Sequence, residues 1–310
     1  MSADVVHVVL VHREQPAHLV DTVVAFAAQG VPLAFTVVDN GSSPSALASL
    51  RAGLDAADLD VPVEVVEMGF NAGFGPGANE GFRRWLAEPA STAGEWCLLA
   101  PHDVQPQAGC FTTLFEVLAE RPRAGLASAD VGLTPAPTPL VDRYFGTIPG
   151  PITVTEGWEP AGYPHGTLMV ARRACLEEIG LFDERYFAYT EEADLAERAR
   201  KAGWEVGVVR GAAVVNVHLS SATPAVDYLQ LRNTLLLVRD HYGRYAGVNR
   251  LVSATLLLGL AIVRPSTRSD VFSAAAQVQA IRDHLAGRYG PPPERFFRPA
   301  ADTDPAPTGP

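Results

Sequence analysis

Cysteine, basic charge and long apolar runs are all scarce in this chain. Its three cysteines, Cys97, Cys110 and Cys175, stand far apart with no paired spacing. That speaks against a disulfide framework and against zinc, and it fits a reducing cytoplasm. Only 24 Lys and Arg face 35 Asp and Glu, for a formal charge of -11. Nucleic-acid binding is driven by clusters of Lys and Arg on phosphates, so this balance argues against a nucleic-acid partner. A single bound nucleotide needs only a few local cations and is not excluded. The longest apolar run, about residues 251–263, falls short of the ~20 residues of a membrane span. Arg250 and Arg264 at its ends leave peripheral contact with the inner face of a membrane open. The chain opens on a strand-like run with no basic n-region or cleavage site, so no signal peptide is expected. Internal repeats are also lacking. What is present, 310 residues with 47% apolar content, is enough to bury a sizeable core.

The first half alternates two periodicities. Short β-branched or apolar runs at 5–11, 34–38, 63–67, 95–100 and 125–129 are separated by helical patterns at 16–29, 45–56, 77–86 and 110–119. This alternation predicts an α/β fold with a mostly parallel, doubly wound sheet. From about 133 to 164 many Pro and Gly residues punctuate short segments, a natural place for a binding loop. Helical periodicity resumes at 172–179 and 191–202, followed by apolar runs at 205–209 and 213–217. Residues 225–241, 248–263 and 270–285 read as consecutive helices. The predicted partition is 1–222 for the α/β domain, 223–289 for a C-terminal helical region and 290–310 for a flexible Pro-rich tail.

Residues able to carry chemistry fall beside turns and helix starts. Asp39 ends a strand-like run before Asn40-Gly41-Ser42-Ser43, and Asp103 follows another in Pro101-His102-Asp103-Val104. Strand ends of this kind are where an open α/β sheet presents ligand loops. Glu191, Glu192 and Asp194 open a helix with Thr190 as N-cap, and His218 follows the last strand-like run. A nucleotide subsite, a metal carboxylate, a base and a second metal ligand, in that order, point to transfer from a nucleotide-activated donor. Each residue also has a plainer reading. Asp39 could satisfy turn amides, and acids in a first helical turn are favoured by the helix dipole alone. The glycine-rich stretch 69–77 invites a dinucleotide fingerprint. That fingerprint belongs after the first strand, with an acid ending the next one. Here the stretch follows the third strand, and Glu88 and Glu95 precede or open the fourth.

The ordered series of motifs resembles a known family. Val38-Asp39-Asn40-Gly41-Ser42-Ser43, Asn71-Ala72-Gly73-Phe74-Gly75 with Asn79 and Gly81, and His102-Asp103-Val104 come first. They are followed by Gly166-Thr167-Leu168-Met169-Val170, Gly180-Leu181-Phe182-Asp183-Glu184, the run from Phe187 to Leu195, and Arg232-Asn233. In this order they are similar to inverting family 2 glycosyltransferases of the GT-A fold, in the bacterial rhamnosyltransferase-like branch. The resemblance covers about residues 5–242.

It implies a role for each matched position. Asp39 would bond the donor's base, with further contacts from His12, Arg13 and Glu14. Asn71 and Gly73 would border the diphosphate, and Asn79 would brace that loop. His102 and Asp103 stand where the family's D-x-D motif ends, with Pro101 in place of the first acid. Asp103, with His218, would hold Mg²⁺ or Mn²⁺. Glu192 falls at the general base, with Glu191 and Asp194 supporting it or the acceptor. Arg232 would lie near the diphosphate. The donor half would span about 1–130 and the acceptor half about 131–222. The expected reaction moves one sugar from a nucleoside-diphosphate donor, dTDP- or UDP-linked hexose or a deoxyhexose such as rhamnose. The acceptor would be a small-molecule, lipid-linked or glycan hydroxyl. The Q-x-x-R-W motif of processive members is missing, and a homodimer stays open. Two competing readings remain: a non-catalytic sugar-nucleotide-binding subunit, and an NAD-dependent oxidoreductase.

Overall fold

The computed structural model describes residues 5–132, 134–216 and 223–297. The first half runs β1 (Val6–His12), α1 (Pro16–Ala27), β2 (Leu33–Asp39), α2 (Pro44–Ala56), β3 (Val63–Glu67) and α3 (Phe74–Ala87). It continues through α4 (Ala90–Ala93), β4 (Trp96–Pro101), β5 (Val104–Pro106), α5 (Cys110–Ala119) and β6 (Ala124–Val131). Then come β7 (Thr138–Asp142), β8 (Gly146–Gly150), β9 (Gly157–Pro160), β10 (Met169–Arg172) and α6 (Arg173–Ile179). The chain ends with α7 (Glu191–Lys201), β11 (Glu205–Asn216), α8 (Pro224–Val263) and α9 (Ala274–Leu285).

One sheet has the order β3-β2-β1-β4-β10-β6-β11-β5, with β9 also paired to β11. β3, β2, β1 and β4 are parallel neighbours, as the alternating pattern predicts. Beyond β4 the sheet turns mixed. β10 runs antiparallel between β4 and β6, and β5 and β9 run antiparallel to β11. β6 and β11 are again parallel to each other and, across β10, to the first four strands, so the sheet is mostly parallel as expected, with β10, β5 and β9 running against it. Every residue of β1 is buried, the signature of a strand covered on both faces. Its alternate side chains separate accordingly. Val8 and Leu10 face a core with Leu19 and Phe35, whereas Val9 and Val11 face one with Phe82, Met169 and Leu195.

The chain moves outward from β1 to β3 and returns to β4 on the other side of β1. That reversal opens a crevice at the carboxyl ends of β1 and β4, the usual ligand position in open α/β sheets. His12, Asp39 and Pro101 close their strands at that edge.

The C-terminal helices pack around Phe187, Tyr228, Leu235, Ala254, Ala276 and Phe296. α8 is broken at Gly243, whose φ of 86° and ψ of 175° lie outside the helical region. Glycine adopts this conformation without the Cβ penalty. Arg250 Nη2 donates to Thr234 Oγ1 at 3.0 Å, sixteen residues away, so the two halves fold back as a hairpin. Residues 290–297 dock instead of trailing as the predicted flexible tail. Gly290 N donates to Arg185 O at 2.9 Å, and Phe296 is buried against Tyr228.

Candidate active site

At the crevice, the loop after β1 clasps the turn after β2. His12 Nδ1 lies 3.0 Å from Asp39 Oδ1, and Gln15 N–H donates to His12 Nε2 at 3.1 Å. Because Nε2 accepts, the ring proton is assigned to Nδ1 and donated to Asp39. Burial lowers the His12 pKa against the pull of Asp39, consistent with a neutral ring. Asp39 Oδ2 accepts from Ser42 N at 3.1 Å. Asp39 is thus buried, with both oxygens engaged inside the fold. Glu14 accepts from Ser43 N at 2.7 Å and from Ser43 Oγ at 3.0 Å, while exposed Arg13 borders the same rim.

The Asn71 loop is fastened to this turn. Asn40 Nδ2 donates to Gly73 O at 2.9 Å, and Asn40 Oδ1 accepts from Ala72 N at 2.9 Å. Asn71 Oδ1 accepts from Gly73 N at 3.1 Å. Gly73 takes φ 102° with its Cα against Phe187 O, an approach that leaves no room for a Cβ. Asn79 lies deeper. It exchanges bonds with Phe182 N and O at 3.0 and 2.9 Å, so it braces the segment before α7.

Half-buried His102 and buried Asp103 follow β4 directly. The His102 ring stacks on His18 at 6.4 Å, and its backbone carbonyl accepts from Thr22 Oγ1 at 2.9 Å. Among the described residues no group of three or more His, Cys, Asp or Glu is placed to hold a metal. His218 lies outside the described residues. One carboxylate at a strand end still fits Mg²⁺ or Mn²⁺, which often take one or two carboxylates and complete their shell with substrate phosphates and water.

Behind the crevice a cavity of about 870 Å³ runs from Phe74 and Pro101 to Phe145 and Leu257. Glu191 and Glu192, the first residues of α7, line its wall. The loop delivering them is strained. Phe187, Tyr189 and Thr190 all have positive φ, at 66°, 67° and 79°, which costs roughly 1–3 kcal/mol per residue. Thr190 holds the N-cap position in this left-handed conformation, and its side chain makes no capping bond. Asn233 holds the strain in place. Its Nδ2 lies 2.9, 2.8 and 2.7 Å from the carbonyls of Tyr186, Ala188 and Tyr189.

Arg232 differs from its sequence expectation. It is fully buried, donating to Gly290 O at 2.7 Å and Tyr186 O at 3.3 Å, so it braces the same loop instead of facing the cavity. Asp194 is also turned to structure. It binds Arg198 at 2.9 Å and His241 Nε2 at 2.7 Å, and it does not line the cavity.

Glu191 and Glu192 are the electrostatic centre. Burial pushes the Glu192 carboxyl up to about 7. Burial, followed by the charge of Glu192, raises Glu191 well above the carboxylate range, and its Oε2 makes no hydrogen bond. Burial raises both adjacent carboxyls, and their mutual repulsion disfavours ionising the two together, so the pair holds a proton toward neutrality. Glu192 Oε1 rests against Gly166, where an added Cβ would collide with it. His165, exposed to solvent, also lines the cavity. Its Nδ1 accepts from Thr167 N at 3.2 Å, which leaves the ring proton on Nε2. His165, Tyr163, Thr234 and Arg250 are lining residues that sequence reasoning missed. Gly166-Thr167, already matched as a motif, was the available signal for His165.

No family model matches the chain. An N-acetylglucosaminyl-diphospho-decaprenol L-rhamnosyltransferase of Mycobacterium tuberculosis is 29% identical over 223 residues, 63% of this chain and 70% of that protein. A low-salt glycan biosynthesis hexosyltransferase of Haloferax volcanii is 24% identical over 232 residues, 72% of this chain and 69% of that protein. Among solved structures, the mannosyltransferase PcManGT from Pyrobaculum calidifontis, in complex with GDP-Man and Mn²⁺, superposes with a TM-score of 0.57 at 15% identity. The match covers 90% of this chain and 86% of that one. The chain thus has the GT-A fold of these solved glycosyltransferases and is homologous to relatives of the rhamnosyltransferase-like branch.

Proposed function

We propose that the protein transfers one sugar from a nucleoside-diphosphate donor to an acceptor hydroxyl with inversion, as family 2 enzymes do. The observation that carries this reading is the Glu192 carboxyl in the cavity wall, raised by burial to about 7 beside Glu191, whose carboxyl is raised as well. A general base works best with a pKa near the operating pH. Glu192 accepts the acceptor's hydroxyl proton as that oxygen attacks the anomeric carbon. Attack on the face opposite the leaving diphosphate inverts the centre.

The donor half, about residues 1–130, presents His12, Arg13, Glu14, Asp39, Asn71, Gly73 and His102 at the crevice. Asp39, held by one hydrogen bond on each oxygen from His12 and Ser42, keeps lone pairs with which to accept from the base. Asp103 would hold Mg²⁺ or Mn²⁺, with His218 as the second ligand. When bound, the metal neutralises charge on the departing diphosphate. The acceptor half, about 131–222, and the helical region, 223–289, form the rest of the cavity. The mycobacterial relative's name supplies the working substrates, a rhamnosyl donor and a diphospho-polyprenol-linked N-acetylglucosamine.

The test is transfer from dTDP-rhamnose, UDP-hexoses or GDP-mannose to such an acceptor with Mn²⁺, the product's anomeric configuration being read by NMR. Retention of configuration would exclude the single-displacement role of Glu192. Donor binding without transfer to any acceptor would favour the non-catalytic binding subunit.

A further inference from the structure

The second half of α8 presents an unpartnered apolar face. Tyr245, Val248, Val252, Leu256, Leu260 and Val263 recur at helical spacing on its solvent side, with Leu256 69% and Val263 78% exposed. The opposite side is also apolar, but Ala254, Leu258 and Ala261 there are buried. A soluble surface rarely leaves such a contiguous stripe uncovered. The charge around the stripe is one-sided. Between Asp240 and Asp270 the chain carries no acid, and besides the inward-turned Arg250 it carries Arg244, Arg264 and Arg268, in a protein whose net charge is -11. The same helix forms the mouth of the cavity, because Leu257 lines it opposite Phe145, itself 50% exposed.

By length and composition α8 is also the one helix among the described residues that could cross a membrane. Its geometry argues for lying on one instead. The break at Gly243 folds it into a hairpin, and one side of the second half is packed into the helical core. Arg250, which lies within that candidate span, is tied to Thr234 in the cavity wall. Spanning would strip these contacts and place Arg250 in hydrocarbon.

We infer that the solvent face of α8 from Arg244 to Val263 lies in the surface of an anionic bilayer and sets the cavity mouth, between Phe145 and Leu257, against a membrane-held acceptor. Apolar side chains enter the headgroup boundary while the flanking arginines meet lipid phosphates. The lipid-linked acceptor rests on the reading under Proposed function; the bilayer contact does not.

The experiment is flotation of the full chain with vesicles of phosphatidylcholine alone or mixed with phosphatidylglycerol, without donor or acceptor. The wild type should float with the anionic vesicles, less so as salt rises, and the triple variant Val252→Asp, Leu256→Asp, Leu260→Asp should lose at least about tenfold in binding. These positions are exposed and do not line the cavity, so the variant's circular dichroism melt should match the wild type. Its transfer to a short-chain, water-soluble acceptor should be kept while transfer to a long-chain acceptor in vesicles falls. Failure of the wild type to float, or equal binding to neutral vesicles, overturns the inference. So does light scattering that shows a wild-type dimer made monomeric by the triple variant without vesicle binding, since the face would then be a self-interface. Vesicle binding with no transfer to either acceptor would sink the proposed reaction and leave the membrane face standing.

Discussion

Replacing Glu192 by Gln should damage catalysis and stabilise the fold. The side chain keeps its size and its place against Gly166 but can no longer ionise. If Glu192 is the base, turnover should fall by about 10²–10⁴-fold, the usual worth of positioned proton transfer. Donor affinity should hold, because the crevice contacts lie on other loops. The stability effect follows from the same burial. The carboxyl ionises at 4.5 ordinarily and at about 7 in the fold, a gap of about 3 kcal/mol. Below the unfolded value both states are protonated and no penalty exists. As pH rises the unfolded chain ionises first, so the wild type loses stability progressively until about pH 7. Gln does not titrate and loses none of it. The variant's advantage should therefore grow between pH 4.5 and 8, reaching roughly 5 °C in Tm for a chain of this size. Thermal melts across that range, paired with initial rates, read both effects. A stability difference that is constant with pH would refute burial as the cause of the raised pKa. A turnover loss below tenfold would remove Glu192 from the base role. Wild-type turnover should itself rise with pH through about 7, since only the ionised form accepts a proton.

Gly166→Ala places a methyl where Glu192 Oε1 rests, so kcat should drop at least about tenfold by loss of positioning while nucleotide binding measured by calorimetry stays near wild type. Arg210, buried on β11, bonds Asp130 at 2.7 Å, Glu159 at 2.5 Å and Thr138 at 2.9 Å. Arg210→Ala leaves two carboxylates uncompensated and should cost about 3–5 kcal/mol in urea melts. Asp103→Ala, or EDTA on the wild type, should remove the metal-dependent part of nucleoside-diphosphate binding; unchanged binding and turnover in EDTA would exclude the metal.

The alternating first half was legible because burial leaves a local trace. β1 reads as a continuous apolar run since both its faces are covered, and Pro16 and Pro44 mark the starts of α1 and α2. The helix opened by Glu191 was legible for the same reason, as was its cluster of acids. The short strands were not. β5 and β10 have three and four residues, too few for a period, and β7 to β9 lie in a stretch dominated by turn residues.

Tertiary structure decided which polar residue serves which end. Arg232 looked like a ligand contact, yet it and Asn233 are fully buried beneath the strained loop that carries Glu191. Asp194 shares a helical turn with Glu192 but is turned toward Arg198 and His241. The apolar run after Arg250 was visible from composition; that one side of it packs and the other stays bare depends on the reversal at Gly243. A sequence period records that a face is buried or polar. What it is buried against, and which of three neighbouring carboxyls meets the cavity, is set by contacts between residues far apart in the chain, and those exist only once the sheet and its helices have closed.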